Sequence, residues 1–237
     1  MVEAGTMSSI FYNFETKESL VSELSLRIAK TLEKSIREKD KASLLVSGGN
    51  TPKALFEKLS NIEIQWDKVT IALVDERWVD SNHQDSNELL VKTNLLKNFA
   101  SKANFIGMYF DETDEKKAQE ECSKIYLEKV YPFDVIVLGM GGDAHTASLF
   151  PENEKLEEAF DMNNKNLCIS IKPTTAPHRR MSLTLQAILN AKTIILHIEG
   201  EEKLKVYKEA ISLDDKYKMP IASVLNQEMK DIEVYYA

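Results

Sequence analysis

The chain has 237 residues, 43% of them hydrophobic and 29% charged, with 30 Lys and Arg against 38 Asp and Glu for a net charge of −8. That length suits one large domain with a sizeable core, and a dispersed acidic excess argues against nucleic acid as a partner, leaving any anion site to a local basic pocket. No apolar run nears the roughly 20 residues a membrane span needs, and Cys122 and Cys168 lack metal-like spacing and read as reduced thiols, which suits a cytoplasmic protein.

In chain order, Met1 to Thr6 read as unstructured and residues 1–8 as a disordered leader, with Met7 open as an alternative start. Ser9 to Phe14 alternates weakly, as an edge strand does. From about Lys17 to Lys39, the residues Leu20, Leu24, Ile28, Leu32 and Ile36 recur at helical spacing and predict a helix whose apolar stripe is core. Ala42 to Val46 predicts a short buried strand running straight into Ser47-Gly48-Gly49-Asn50-Thr51-Pro52, then a helix over Lys53 to Leu59. Strand, glycine loop and helix in that order put unpaired N–H groups and the positive end of a helix dipole at the loop, with Thr51 as N-cap and Pro52 at the first helical position. Such a start attracts phosphate, and the two glycines favour that reading over an ordinary capped helix. The lysine of a P-loop is missing, which argues against a nucleoside triphosphate.

Val69 to Val74 predicts the next buried strand. It ends in Asp75-Glu76-Arg77-Trp78-Val79, which elsewhere is a solvated loop; after an apolar strand of an open α/β sheet it is placed to line the ligand crevice, with Arg77 able to grip phosphate or carboxylate. Ser86 and Asn87 open a helix with Leu89, Leu90, Leu95 and Leu96 that reads as scaffold. Asn104 to Tyr109 reads as a short strand, and Thr113 as the cap of a charged helix carrying Ala118, Ile125 and Leu127.

Phe133 to Leu138 is a β-branched apolar run of the kind buried on both faces, so it is expected at the centre of the sheet. It breaks into Gly139, Gly141 and Gly142, and just past them come Asp143 and His145. A glycine turn can serve packing alone, and a lone His is as often structural as functional; together, at the carboxyl end of a central strand, an acid and an imidazole sit where ligands bind. Gly139-Met140-Gly141-Gly142-Asp143-Ala144 also fits the dinucleotide pattern. A pyrophosphate there would face the Asp143 carboxylate, and the next strand, Leu167 to Ile171, ends in Lys172 rather than in an acid for a ribose, so a nicotinamide cofactor is the poorer reading.

Glu152 to Asp161 reads as loop and helical turn without chemistry. Lys172 and the segment Thr174 to Arg180 form the densest basic cluster in an acidic protein, read as an anion site, with His178 as a surface residue. Met181 to Thr184 and Thr193 to Ile198 predict two more strands, Glu201 to Ser212 a helix after Gly200, and Ile232 to Tyr236 a last strand closing the sheet. The alternation predicts one domain over residues 1–237, of α/β class: a single doubly wound, mostly parallel, Rossmann-like sheet with helices on both faces, in three layers α/β/α.

With these residues in view, the chain from about Ser9 onward resembles the family of glucosamine-6-phosphate isomerases and 6-phosphogluconolactonases. The resemblance rests on Ser47 to Pro52, Asp75 to Val79, Gly139 to Pro151 (GMGGDAHTASLFP), Lys172-Pro173 and Arg180 to Thr184 (RMSLT), in that order. It falls on the lactonase side, because the deaminase branch carries His-x-x-x-Asn-Glu-Pro where this chain runs from His145 through Ser148-Leu149-Phe150-Pro151, without the carboxylate. The resemblance implies hydrolysis of 6-phosphoglucono-δ-lactone to 6-phosphogluconate in the oxidative pentose phosphate pathway, with no metal or cofactor required and a small phosphorylated lactone as the partner; no protein partner is indicated. The family usually has Gly where Ala144 stands, and a methyl there needs an ordinary backbone angle.

The residues support a mechanism of that kind. A free imidazole titrates near neutrality, so His145 is expected to take a proton from the attacking water and return it to the ring oxygen, with Asp143 orienting it or touching substrate. Glycine-loop N–H groups, those of Gly141 and Gly142 among them, are expected at the oxyanion. Arg77, Lys172 and Arg180, with Ser47, Gly48, Gly49, Asn50 and Thr51, are expected to hold the phosphate, and Asp75 the sugar hydroxyls. The alternatives are an amino-sugar-phosphate isomerase or deaminase and a non-catalytic sugar-phosphate sensor, the latter having no use for Asp143 and His145.

Overall fold

The computed structural model describes residues 2–4 and 9–237. They run in the order β1 (Val2–Ala4), β2 (Ser9–Asn13), α1 (Lys17–Lys39), β3 (Ala42–Val46), α2 (Lys53–Ser60), β4 (Val69–Leu73), β5 (Asp75–Arg77), α3 (Asn87–Asn94), β6 (Asn104–Ile106), α4 (Glu115–Lys129), β7 (Val135–Leu138), α5 (Leu156–Phe160), β8 (Cys168–Ile171), β9 (Arg180–Leu183), α6 (Leu185–Leu189), β10 (Thr193–Ile198), α7 (Glu201–Leu213), α8 (Ala222–Leu225) and β11 (Ile232–Tyr236). Eight strands make one sheet in the order β1-β2-β11-β10-β7-β3-β4-β6. The seven from β2 to β6 are parallel, and β1 alone pairs antiparallel, with β2. This is the doubly wound, mostly parallel sheet predicted, and β7 lies within it with every residue buried.

Helix α1 shows how directly the sequence writes some of this. Thr16 accepts the N–H of Ser19 at 3.1 Å and caps its start, and Asp40 ends it in the left-handed region at φ 60°. Leu20, Leu24, Ile28 and Leu32 are fully buried and Ile36 nearly so. At roughly 1.5–3 kcal/mol for each such side chain, the stripe fixes which face meets the sheet.

Several expectations are corrected. Val2–Ala4 adds a strand outside β2, so the leader is not wholly unstructured and β2 is not the edge; Met1 and residues 5–8 lie outside the described residues. Strand β11 does not close the sheet but slots between β10 and β2. Asp114, not Thr113, caps α4, its carboxylate accepting from Lys117 N at 2.9 Å, and Leu127 on that helix is 56% exposed. The larger correction is a second sheet: β5, β9 and β8 pair antiparallel, so Asp75-Glu76-Arg77 is a strand and not a loop, and β8 and β9 lie outside the main sheet. The chain passes between the sheets at Val74, whose N–H donates to Val46 O of the main sheet while its carbonyl accepts from Leu183 N of the small one. Cys122 and Cys168 are both buried and free. Among the described residues no helix is long and apolar enough to cross a membrane.

Tyr126 secures that passage. Fully buried on α4, its hydroxyl accepts from Leu73 N at 3.0 Å and donates to Leu73 O at 2.9 Å, beyond the point where β6 stops pairing with β4. Tyr126→Phe strands both backbone groups, each costing about 1–3 kcal/mol when buried unpaired. A urea titration is expected to show a loss of that order for each group, with the m-value unchanged; a midpoint equal to wild type would mean the pair finds other partners.

Candidate active site

Adjacent strands β3 and β7 mark a reversal of winding. From β3 the chain moves outward through β4 to β6, and from β7 it moves the other way through β10 to β11. Open α/β sheets bind ligands in the crevice at such a switch point. The loop Ser47-Gly48-Gly49-Asn50-Thr51 follows β3 and the turn Gly139 to His145 follows β7. Ser47 joins them: its N–H and its hydroxyl both donate to Val137 O at 3.1 Å, and its Oγ accepts from Gly139 N at 3.3 Å. Thr51 is not the N-cap predicted. A turn through residues 51–52 puts Pro52 at the cap position, and no side chain caps α2. The first turn of this helix therefore points into the crevice without a capping oxygen, which suits an anion better than a capped start.

Strand β5 delivers charge to the same crevice by alternation. Asp75 and Arg77 face the cavity, and Glu76, between them, points the other way and is fully buried. Its Oε1 accepts from Arg77 N and Asn87 N, both at 2.7 Å, and its Oε2 from Glu88 N at 2.8 Å and Ser86 Oγ at 3.1 Å. Glu76 thus holds the start of α3, alongside Ser86, which caps it by accepting from Leu89 N at 3.2 Å. Helix α3 is more than scaffold, because Asn87 at its first position lines the cavity. Its Nδ2 donates to Asp75 O at 2.8 Å, and its Oδ1 lies so near Gly48 that a Cβ there would stand 1.9 Å away.

Burial pushes the Glu76 carboxyl up to about 7, against the pull of the Asn87, Glu88 and Arg77 N–H donors. A carboxyl whose folded value stands above its ordinary 4.5 holds its proton more tightly in the native state. The stability it lends is therefore present at low pH and lost as pH rises through that window. The difference in unfolding free energy between wild type and Glu76→Gln is expected to fall from about pH 4.5 to about pH 7 and then level off. A flat difference would show that the carboxyl does not titrate there.

Arg77 and Arg180 stand opposite each other in the β5–β9 register, and both line the cavity. Arg77 Nη1 donates to Asp85 O at 2.6 Å and Arg180 Nη2 to Pro177 O at 3.2 Å, but the Nε of each is buried without a partner. Burial first, and then the Arg77 charge, push the Arg180 guanidinium below its usual value, against the nearby Asp75, Glu76 and Asp85. Two adjacent guanidiniums with unused donors form a receptor for an oxyanion. Asp75, also buried, accepts from Ser148 Oγ at 2.6 Å.

His145 comes from the turn after β7. Its Nδ1 is 2.6 Å from Asp143 Oδ1, which also accepts the His145 N–H at 3.1 Å. Burial pushes the Asp143 carboxyl up, but the hydrogen bond and charge of His145, with backbone donors, outweigh it and leave a lowered value. An ionised Asp143 fixes the proton on Nδ1 and leaves Nε2 as the free base. The imidazole is one-third exposed and packs at 4.7 Å from the ring of Phe150, over which Arg180 also lies at 5.7 Å. The turn is tight: Gly141 N donates to His145 O at 2.8 Å, and a Cβ on Gly141 would meet His145 Nδ1 at 2.1 Å. Ala144 does not have the ordinary angle expected; it is fully buried at φ 65° and carries its methyl in the left-handed region, at a cost of about 1–2 kcal/mol.

These groups enclose a cavity of about 280 Å³, near the small end of ligand pockets, which run about 300–1,000 Å³. Of the predicted site residues, Ser47, Gly48, Gly49, Asn50, Thr51, Asp75, Arg77, Gly141, His145 and Arg180 line it. Asp143 and Gly142 are not part of the lining, and Asp143 touches it only through His145 Nδ1. Lys172 does not reach the cavity: it is exposed at the end of β8, the outer strand of the small sheet, with β9 between it and β5. The sequence reading missed Asn87 and a third wall beyond β10. There His197 is buried, with Nδ1 unpartnered and Nε2 3.0 Å from Glu199 Oε1, and Lys203 enters from the first turn of α7. The strand–glycine–helix order of Thr193 to Lys203 was the available signal.

Comparison with known proteins matches this arrangement. The family model described as glucosamine-6-phosphate isomerases/6-phosphogluconolactonase matches residues 15–233. A 6-phosphogluconolactonase of Rhizobium meliloti is 38% identical over 231 residues, 98% of this chain and all of that protein. The crystal structure of a 6-phosphogluconolactonase from Shewanella baltica superposes with a TM-score of 0.91 at 42% identity, covering 95% of this chain and 96% of the other. A monomeric glucosamine-6-phosphate deaminase shares the fold, with a TM-score of 0.77 at 16% identity over 95% of this chain and 96% of its own.

Proposed function

Since the chain belongs to the glucosamine-6-phosphate isomerase/6-phosphogluconolactonase family, we propose that it is the lactonase, a carboxylic ester hydrolase converting 6-phospho-D-glucono-1,5-lactone to 6-phosphogluconate in the oxidative pentose phosphate pathway. Residues 1–237 act as one catalytic domain in the cytoplasm on this small phosphorylated lactone. One observation carries the reading: a carboxylate-oriented imidazole and two arginines with unused donors face a single cavity of monosaccharide size.

A lactone is an activated ester, so its hydrolysis needs an activated water, a stabilised oxyanion and a proton for the departing ring oxygen. His145 Nε2 takes the proton of a water attacking C1 and returns it to the ring oxygen as the C1–O bond breaks. Asp143 holds the tautomer this requires. The Gly141 N–H expected at the oxyanion is spent on His145 O and that of Gly139 on Ser47 Oγ, so the tetrahedral oxyanion is left to the remaining glycine-loop N–H groups that face the cavity, where fixed dipoles need little reorganisation. Arg77, Arg180 and the uncapped start of α2 hold the phosphate, with Lys203 a further cation on the opposite wall; Asp75 and Asn87 meet the sugar hydroxyls. The deaminase branch places a Glu where Phe150 stands, and here an apolar ring packs on the imidazole instead. Ring opening by a carboxylate has no group to perform it at that position.

The test is hydrolysis of freshly prepared 6-phosphogluconolactone, followed by base uptake and corrected for spontaneous opening, beside an ammonia assay with glucosamine 6-phosphate. Rapid hydrolysis without ammonia is expected. Ammonia release would assign the deaminase branch, and neither activity would leave a sugar-phosphate sensor.

A further inference from the structure

We propose that His83, Asp85 and His178 bind a zinc-class divalent cation at the rim of the small sheet, at a site separate from the residues assigned to the lactone. Two loops supply it: His83 and Asp85 lie between β5 and α3, and His178 just before β9. One donor atom from each lies within 4.8 Å of the others. Asp85 Oδ2 is 2.9 Å from His178 Nε2 and 3.9 Å from His83 Nδ1, and the two imidazoles stand edge to face at 5.4 Å. Zinc bonds to nitrogen and oxygen of about 2.0–2.2 Å put tetrahedral ligand atoms about 3.3 Å apart, between the two carboxylate–imidazole separations, while the two imidazole nitrogens lie within 4.8 Å of each other. Binding would draw the two imidazoles together toward that spacing. Two imidazoles and one carboxylate are a borderline-soft set suited to zinc and its neighbours, and they leave a fourth position open to water.

The surroundings fit this chemistry. Asp85 N donates to His83 Nδ1 at 3.1 Å, which marks that nitrogen as carrying a lone pair. The ion would replace this contact and take His178 Nε2 from Asp85, the imidazole then carrying its proton on Nδ1. The donor side chains are between 28% and 42% exposed, open to an ion from solvent. His178 takes a left-handed φ of 66° while meeting Asp85, an unusual conformation for a side chain read from sequence as free surface. Arg77 is engaged with the Asp85 carbonyl and not with its carboxylate.

Binding, rather than catalysis, tests this, and the lactonase reading can fail without affecting it. The untagged full chain is titrated with Zn²⁺ against a chromophoric chelator and with Co²⁺ followed by visible absorption. One ion per chain and the intense bands of tetrahedral Co²⁺ are expected. Affinity should weaken at least about tenfold in each of His83→Ala, Asp85→Asn and His178→Ala, while Asp143→Asn and His145→Ala keep the wild-type value. Circular dichroism identifies any variant that fails to fold, and the remaining ones then carry the comparison. No saturable binding, undiminished binding in all folded rim variants, or a loss that follows Asp143 and His145 instead would each overturn the proposal.

Discussion

His145→Ala is expected to lower kcat for lactone hydrolysis by about 10²–10⁴-fold, the usual contribution of a positioned general base, while changing KM little. The direction follows from the geometry. With Nδ1 at 2.6 Å from Asp143, the imidazole is locked in one tautomer and presents Nε2 as its only free base. The arginines proposed to hold the far end of the substrate come from β5 and β9, and Arg180 meets the imidazole only through the shared Phe150 ring, so KM is expected to change far less than kcat. Asp143→Asn keeps the ring but loses the charge that fixes its tautomer, and a smaller fall in kcat is expected. Initial rates at fixed pH, with spontaneous opening subtracted, check both. Turnover near wild type in His145→Ala would remove this imidazole from the chemistry.

Arg180→Ala should act on the other kinetic constant. Its guanidinium lines the cavity and is almost fully buried, so a phosphate bound there would pair with a largely desolvated charge. Truncating one side of a buried, hydrogen-bonded charge pair costs about 2–5 kcal/mol, or roughly 30- to several thousand-fold in affinity. KM for the phosphorylated lactone is expected to rise by that order, while KM for unphosphorylated gluconolactone barely changes. Arg77→Ala should do the same. Lys172→Ala, exposed on the outer strand, should not alter KM for either substrate. Equal increases for both substrates in the arginine variants would show that these side chains do not read phosphate.

What could be read from the sequence was what depends on near neighbours. The stripe of α1, the span of β3 and the central burial of β7 match their predicted limits closely, because period and run length record burial locally. The small sheet was hidden for the converse reason. Asp75-Glu76-Arg77 is three charges in a row, and its pairing to Arg180-Met181-Ser182 joins segments far apart in the chain, a contact that leaves no local trace. The same blindness put Lys172 beside Arg180 in the pocket, when antiparallel pairing carries it to the outer edge. Caps fell one position off at Asp114 and Pro52, because which residue turns the chain is decided by the docked helix and not by its composition. The wall built from His197, Glu199 and Lys203 went unread because β10 lies beside β7 only once the sheet has wound.

The junction at Val74 has a further consequence. On the proposed reading the base comes from the main sheet and the two guanidiniums from the small one, so the fit of a sugar phosphate depends on how the two sheets sit against each other. A substitution remote from the cavity, at Val74 or at Tyr126 beneath it, is then expected to change KM for the phosphorylated lactone without touching either end of it.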